Sequence, residues 1–330
     1  KQAGSASMIY RDLEFDEDDS PSIPLDLFFN ENTEEYITTW SQQIAGGLPT
    51  SQIEGVSEMK IATYRLDSAV SWLKKYARKG RIDVVAKGIE RMAQEILLKQ
   101  ERNAWAVILR ALAEAKTNTL VHAITTSTES VFLVNDLSRL MTRLRRINTS
   151  WAGGTPDITD SKGLTDLFVS PEVKEQIRAF AFNAMNTQGA GGLALANDSR
   201  ANGIPLPEAT RQAIFNGAGM EEIYGVSISE LLELGTSRRY NTLFDEFSAS
   251  NSAFGHGGEF VDGDDELAVG FDLSKDAFIR PISRDSETGA TFTTLADDQF
   301  VARSEKVGLY GSLEEGRLVI DSRGVCGVVI

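Results

Sequence analysis

The stretch from Asp83 to Lys116, DVVAKGIERMAQEILLKQERNAWAVILRALAEAK, contains no proline and predicts a single long helix. Its apolar residues recur at alternating spacings of four and three, as one face of a helix requires: Val85, Ile89, Met92 and Ile96. About 33 residues at 1.5 Å each make a rod of roughly 50 Å. Because an average helix has about 11–12 residues, this one is longer than a compact domain needs. A coiled coil is the alternative, although the repeat does not persist over enough heptads.

The residues before this helix predict a shorter one. Asp67 can cap a helix over 68–79, which Gly80 would end. Between residues 67 and 116, eleven basic side chains stand against six acidic ones, a net charge of +5. This region therefore predicts a basic rod in a chain of 330 residues whose total net charge is −15.

The first 36 residues are strongly acidic. They hold ten acidic and two basic side chains, together with Pro21 and Pro24, and show no sustained periodicity. We predict an extended arm here, which can be disordered in the isolated protein. Glycines and prolines then indicate a loop or long hairpin up to residue 66. The acidic arm and the basic rod can attract each other within or between subunits, or can both remain solvated.

Helices continue through the middle of the chain. Three further stretches fit helices: 129–146, 207–216 and 227–234. The first of these ends in four arginines, which suit the helix dipole or keep the helix soluble: Arg139, Arg143, Arg145 and Arg146. A short buried strand at 167–169 precedes a helix that Ser170 caps and Pro171 opens.

The end of the chain predicts strands instead. Apolar and β-branched runs of strand length recur from residue 260 onward: around 271, 278–279, 291–294, 309–310, 318–320 and 326–330. Helices in the middle and scattered strands at the end indicate an α+β fold.

The composition argues against several functional classes. A net charge of −15 argues against a general nucleic-acid binder. Cys326 is the only cysteine, so it forms neither an internal disulfide nor a cysteine zinc cluster, and we expect it to pack as a small hydrophobe. The two histidines, His122 and His256, show no evident partner, and neither qualifies as a general base. The longest apolar runs fall far short of the roughly 20 residues of a membrane helix.

Two kinds of cluster resemble ligand sites only weakly. Glycine clusters at 189–192, 217–219 and 255–258 lack the strand and helix that flank a dinucleotide site, so loops explain them better. The segment from Asp262 to Glu266, DGDDE, resembles the start of a calcium loop, but Leu267 stands where that loop needs glycine. The sequence therefore predicts no catalytic residue, no cofactor and no metal site.

The order of these features resembles that of the major capsid proteins of tailed bacteriophages, whose fold is shared with herpesvirus shells and encapsulins. The long helix resembles the spine helix of that family, and GLTDLFVSPEVKEQI at 163–177 is similar to its strand followed by a Ser-Pro-Glu helix. Four segments near the end are similar in kind: VGFDL at 269–273, FIRP at 278–281, DQFVARSEKVGLYG at 298–311 and EEGRLVIDSR at 314–323. The resemblance spans most of the chain.

This resemblance implies a domain organisation and a function. The domains would be an N-terminal arm (1–36), an extended loop (37–66), a peripheral domain with the spine helix (67–128 and 271–330) and an axial domain (129–270). The protein would be a non-enzymatic major head protein that self-assembles, through pentamers and hexamers, into an icosahedral or prolate shell. That shell would enclose double-stranded DNA without sequence-specific binding and without a membrane.

The family also implies how the shell is made. Assembly would take place in the host cytoplasm and yield the virion, with portal, scaffold, head protease and decoration proteins as further partners. A chain that begins at Lys1 fits either removal of an N-terminal scaffolding segment by the protease or a sequence shortened for another reason. An encapsulin-like compartment that encloses cargo proteins is the alternative within the fold. A soluble enzyme with an unrecognised site and a helical adaptor are the alternatives outside it.

The resemblance places the acidic arm over a neighbouring subunit. We expect it to lie against a basic surface there, with the spine helix and its approach as the candidate. The predicted inter-subunit contacts are Asp16, Glu17, Asp18, Asp19, Lys74, Lys75, Arg78, Lys79, Arg81, Lys87 and Arg91.

Overall fold

The computed structural model describes residues 4–16, 21–25, 57–78, 82–117, 120–149, 163–179, 222–249, 254–256, 258–274, 277–285, 289–297 and 305–330. The helices in these ranges are α1 (Ser5–Ile9), α2 (Lys74–Arg78), α3 (Ile82–Glu114), α4 (Val134–Thr149), α5 (Pro171–Ala179) and α6 (Arg239–Ser248). The strands are β1 (Arg11–Asp16), β2 (Ser22–Leu25), β3 (Ser57–Lys60), β4 (Tyr64–Leu73), β5 (Lys116–Thr117), β6 (Leu120–Val121), β7 (Ala123–Thr125), β8 (Asp166–Val169), β9 (Glu222–Ile223), β10 (Val226–Glu230), β11 (Leu267–Phe271), β12 (Phe278–Arg284), β13 (Thr293–Asp297), β14 (Lys306–Glu315), β15 (Leu318–Val319) and β16 (Val325–Val329).

The chain divides into two compact units. Unit 1 comprises Lys1–Val107 and Asp276–Asp321, and unit 2 comprises Ile108–Lys275 and Ser322–Ile330. Both units are discontinuous in sequence, because the chain leaves each of them and later returns.

Unit 1 is built on a sheet in which β14 pairs with three other strands, β4, β12 and β13. The sheet follows the order β1-β12-β14-β13, with β4 added to β14 and β15 added to β12. β4 pairs antiparallel with β14 over ten residues, from Tyr64 opposite Glu315 to Leu73 opposite Lys306. β1 lies parallel to β12.

The helix predicted over 68–79 is therefore wrong for residues 68–73, half of its length. Residues 64–73 alternate strictly between half-buried and exposed, which is the period of a strand. Only α2 is helical in this stretch. Asp67 caps no helix here, since it accepts hydrogen bonds from Arg65 and Tyr310 on the exposed face of the sheet.

The long helix is confirmed as α3, within one or two residues of the predicted bounds. Residues 86–99 are largely exposed, with Met92 and Ile96 turned inward. From Gln100 onward most of the apolar residues are buried, and Trp105 and Leu112 are fully so.

Unit 2 is built on a second sheet, in the order β7-β16-β11-β8-β10-β9. α4 and α5 pack on one face of it, where their leucine, valine and isoleucine side chains join those of the strands in one buried cluster. Cys326 lies within this cluster, as predicted, and burial raises the pKa of its thiol to about 12. The hydroxyl of Ser170 accepts a hydrogen bond from the Val173 N–H at 3.1 Å, so the predicted cap of α5 is confirmed.

Three other local predictions have different outcomes. The strands expected beyond residue 260 are confirmed as β11 to β16. The helix predicted over 227–234 is wrong, because Ser227 to Glu230 pair as β10 with the buried strand β8. The helix predicted over 129–146 begins later, at Val134, since residues 127–131 form a turn. The predicted helix at 207–216 and the loop residues 37–56 lie outside the described residues.

Candidate assembly surfaces

The N-terminal segment Gly4–Tyr10 is held in a socket on α3. The carboxylate of Glu101 accepts hydrogen bonds from the backbone N–H of Ala6, at 3.1 Å, and from the hydroxyl of Ser5. The indole N–H of Trp105 donates to the same carboxylate at 3.2 Å. Glu101 is only 5% exposed, so these contacts are made away from bulk water. The disorder expected of the arm is therefore wrong for residues 4–10.

Tyr10 closes this socket. Its hydroxyl donates to the backbone carbonyl of Ala104 at 3.1 Å, and its ring meets Phe278 edge to face with centroids 6.0 Å apart. The guanidinium of Arg317 lies over the ring, 4.9 Å from the centroid. Burial raises the pKa of the Tyr10 hydroxyl well above its usual value.

A buried ion pair lies behind Tyr10. Arg317 and Glu315 are 3.1 Å apart, and their side chains are 2% and 0% exposed. The hydroxyl of Tyr64 and the amide of Gln100 each donate to Glu315 at 3.0 Å. Burial, more than the adjacent Glu315 carboxylate, raises the pKa of Tyr64 to about 12. Because Glu315 accepts from Gln100 and Arg317 lies over Tyr10, this pair links the end of β14 to α3 and to the N-terminal segment.

The acidic side chains of β1 find basic partners in their own subunit. Asp12 lies 2.6 and 2.7 Å from two nitrogens of Arg280, and Glu14 lies 2.7 Å from Arg284. Both arginines belong to β12, the parallel neighbour of β1. Neither arginine is among the predicted contact residues, although acids at every second residue of β1 and two arginines four apart on β12 are a signal for facing rows. Of the predicted contact residues in the arm, Asp16 is exposed at the end of β1, and Glu17 to Asp19 lie outside the described residues.

The basic character predicted for the spine helix is not a property of α3 itself. α3 carries five basic and five acidic side chains. Arg91 pairs with Glu95 at 2.8 Å, and Arg110 pairs with Glu114, each one helical turn away. Lys87 is exposed. The positive surplus therefore precedes the helix.

That surplus is the cluster that we call the α2 cluster: Lys74, Lys75, Arg78, Lys79 and Arg81. No acidic residue occurs between positions 74 and 81. Lys74 is half-buried and Lys75 is exposed, while Lys79, Arg81 and the side chain of Arg78 lie outside what the structure describes. Five like charges in eight residues make this the most basic short segment of the candidate contact set.

Polar groups that resembled catalytic or metal sites serve the fold of unit 2. His122 is fully buried, and its Nδ1 lies 3.0 Å from the carbonyl of Ser322. His256, for which no partner was expected, lies 2.9 Å from the hydroxyl of Thr126. Within the acidic turn, Asp265 accepts the N–H of Val261 at 2.9 Å.

Among the described residues, no group of three or more metal-ligating side chains converges. No helix in the described part of the chain is long and apolar enough to cross a membrane. The glycine clusters at 189–192 and 217–219 lie outside the described ranges. The third cluster is a tight turn in which Gly255 and Gly258 exchange backbone hydrogen bonds of 3.1 and 3.3 Å.

Comparison with known proteins gives a consistent structural result. No protein-family profile and no curated protein sequence matches the chain. The solved capsid of the cyanophage P-SCSP1u superimposes with a TM-score of 0.57 at 12% identity, covering 97% of this chain and 86% of that one. The capsid of a native GTA particle gives 0.56 at 12% identity, with 100% and 91% covered. The head structure of Helicobacter pylori bacteriophage KHP40 gives 0.50 at 10% identity, with 96% and 86% covered.

The chain has the fold of tailed-phage capsid proteins. The predicted α+β class and the resemblance stated from the sequence are thereby confirmed at the level of fold. Since the three matched structures share only 10–12% sequence identity with this chain, the likeness is one of fold.

Proposed function

We propose that this protein is the major capsid protein of a tailed phage and forms the shell of the virion by self-assembly. The observation that supports this most directly is the similarity of nearly the whole chain to solved phage capsids. The role is structural and non-enzymatic. Enclosure of double-stranded DNA and a mature form produced by proteolysis are parts of the proposal that rest on the family resemblance. Portal, scaffold, protease and decoration proteins rest on it as well.

Within that shell, we assign the peripheral role to 67–128 and 271–330 and the axial role to 129–270. The arm and extended loop, 1–36 and 37–66, would reach neighbouring subunits. These limits come from the resemblance, and they differ from the compact units, since β7 and β16 belong to the sheet of unit 2 but fall within the assigned peripheral ranges.

We infer that the acidic segment Asp16–Asp19 contacts the α2 cluster of a neighbouring subunit. Asp12 and Glu14 are already matched by arginines of their own subunit, whereas Asp16 is exposed at the end of β1 and is followed in the sequence by three more acids. The α2 cluster supplies five positive charges without an intervening acid. Lys87 and Arg91 would extend the basic surface onto α3, although Arg91 also forms an ion pair with Glu95.

The shell itself is tested by imaging purified particles by electron microscopy. Closed icosahedral or prolate shells with five- and sixfold capsomers support the proposal, and their nucleic-acid content separates a virus from a compartment for cargo proteins. A chain that stays monomeric or dimeric with scaffold, protease and crowding agents supplied refutes it.

The charged contact is tested by assembly at two salt concentrations. Replacing Asp16, Glu17, Asp18 and Asp19 with serine should weaken assembly at low salt, and the difference should shrink at high salt because exposed charges are screened. A control variant removes four exposed acids elsewhere: Glu172, Glu175, Glu246 and Asp264. Assembly of the arm variant that equals that of the wild type at low salt would remove the contact but not the shell.

A further inference from the structure

Helix α4 presents an exposed polar face. Its inward side is fixed by fully buried Leu137, Leu140 and Leu144, and by Ile147. The exposed side carries hydroxyl, amide and guanidinium groups: Asn135, Ser138, Arg139, Thr142, Arg145 and Arg146. We call this set the α4 face.

The α4 face is positive in an otherwise acidic protein. α4 contains four arginines and no lysine, and its one acidic residue, Asp136, is buried and lies 3.2 Å from Arg139, so the helix carries a net charge of +3. The neighbouring helix α5 holds two acidic and two basic side chains and so cancels itself. A net charge of −15 for the whole chain therefore conceals a local cationic surface.

Three of the arginines are held in place by contacts with the body of unit 2. One nitrogen of Arg139, Nη1, donates to the hydroxyl of Ser127 at 3.0 Å and to Asp136 at 3.2 Å. Arg143 donates to the carbonyl of Val121 through two nitrogens, at 2.8 and 3.1 Å. Arg145 lies against Gly163, since a Cβ added to that glycine would be 3.4 Å from the Nε of Arg145. Side chains fixed on a rigid helix lose less entropy when they bind a ligand.

We propose that the α4 face binds the phosphate backbone of the nucleic acid inside the shell, which rests on the proposed function. Arginine matches phosphate with two parallel hydrogen bonds, and serine, threonine and asparagine are the other side chains that commonly contact phosphate. No side chain of the face needs to read a base, so the contact is independent of sequence.

A nucleic acid fits this face better than the acidic segment of a second subunit. Asp12 and Glu14 of β1 are already paired with Arg280 and Arg284 of their own subunit. For the acidic segment Asp16–Asp19, the α2 cluster is the more highly charged candidate partner, because it has five basic residues in eight positions, against four arginines in eight positions of α4. The α4 face combines guanidinium with hydroxyl and amide groups, a set suited to phosphate oxygens.

The test compares binding of the full-length unassembled chain to a mixed-sequence 30-base-pair DNA duplex at 50 and 200 mM salt. The variant replaces Arg139, Arg145 and Arg146 with glutamine. Three lost phosphate contacts should reduce the slope of log affinity against log salt by roughly 2.7. Between these two salt concentrations, the wild type should therefore lose about 40-fold more affinity than the variant does.

The control variant replaces three exposed arginines of the same unit, Arg178, Arg238 and Arg239, with glutamine. It removes the same charge and should retain the wild-type slope. Equal slopes for both variants, or a wild type that does not bind the duplex, overturn the proposal. A peptide of residues 11–20 serves as the alternative ligand. If the wild type binds this peptide, the α4 variant does not, and both bind the duplex equally well, the proposal is overturned in favour of a second subunit.

The same variants are then assembled into shells. The α4 variant should form shells as the wild type does but hold less nucleic acid, as measured by the ratio of absorbance at 260 and 280 nm. An unchanged ratio overturns the proposal. A wild type that forms no shells with scaffold, protease and crowding agents supplied refutes the proposed function, whereas duplex binding lost only in the α4 variant would still support a phosphate-binding face.

Discussion

Neutralising one member of the buried Glu315–Arg317 pair should destabilise unit 1 more than removing both members. Glu315→Gln leaves the guanidinium of Arg317 charged at a site that is 2% exposed. Its Nε and Nη1 have no hydrogen-bond partner within the described part of the chain. These two atoms therefore do not compensate for the loss of the Glu315 carboxylate. Breaking a buried pair in this way costs about 3–5 kcal/mol. At about 2–4 °C per kcal/mol for a unit of this size, the melting temperature should fall by roughly 10 °C.

The opposite single change, Arg317→Met, should cost less. The carboxylate of Glu315 then keeps the hydrogen bonds from Tyr64 and Gln100, each at 3.0 Å. Methionine is close in length to the aliphatic part of arginine and can contact the ring of Tyr10 through its sulfur. We expect about half the destabilisation of Glu315→Gln, since the charge left behind retains two donors.

The double variant separates the charge from the packing. With Glu315→Gln and Arg317→Met together, no buried charge is left unpaired, and the stability should return to within about 1–2 kcal/mol of the wild type. The assay is thermal unfolding of the four proteins by calorimetry, combined as a double-mutant cycle. A double variant no more stable than Glu315→Gln alone would refute the reasoning, because the cost would then come from lost packing.

Three further changes test other buried contacts. Because burial raises the pKa of the Cys326 thiol to about 12, the protonated form stabilises the fold fully below about pH 8.5, and this contribution is lost as the pH rises toward 12. A thiol reagent at pH 8 should react only as fast as unit 2 unfolds, and rapid reaction of the folded protein would contradict this. Gly255→Ala should lower the melting temperature, since a Cβ there would lie 2.0 Å from the carbonyl oxygen of Glu259; calorimetry that finds no change would show that the turn can move. Glu101→Ala should release residues 4–10 from α3, because it removes the acceptor of Ala6 and Trp105, and their backbone amides should exchange hydrogen much faster than in the wild type. Unchanged protection would show that the segment is held by Tyr10 alone.

Local signals explain which elements the sequence predicts well. α3 is identified because 33 residues without proline and with a helical apolar stripe have no other regular interpretation. The cap at Ser170 and the packing of Cys326 are likewise decided by their near neighbours.

Elements that depend on distant partners are the ones predicted wrongly. Asp67 followed by a lysine-rich stretch and Gly80 imitates a capped helix, but ten backbone pairs with β14 outweigh that local preference. Residues 227–230 are likewise a strand and not a helix because they pair with β8. The partners of Asp12 and Glu14 lie about 270 positions along the chain, so the alternating acids and the two arginines indicate facing rows only once β1 and β12 are known to be neighbours.

The candidate contacts divide in the same way. The concentration of acid before residue 20 and of base between 74 and 81 is visible in the sequence, because charge counts need no fold. That α3 neutralises its own charges follows from pairs one turn apart, such as Arg91 with Glu95, which a helical reading could have found. The contact between subunits stays a prediction.

The order of the strands along the chain has a consequence for when the two sheets can form. β16 lies in the interior of its sheet, between β7 and β11, and β14 joins β4 to the rest of the other sheet. Each sheet therefore lacks one of its interior strands until residues 306–329 have been synthesised, long after its first strands. Because contacts between residues far apart in sequence form slowly, β4 and β7 wait for partners that are made about 200 residues later.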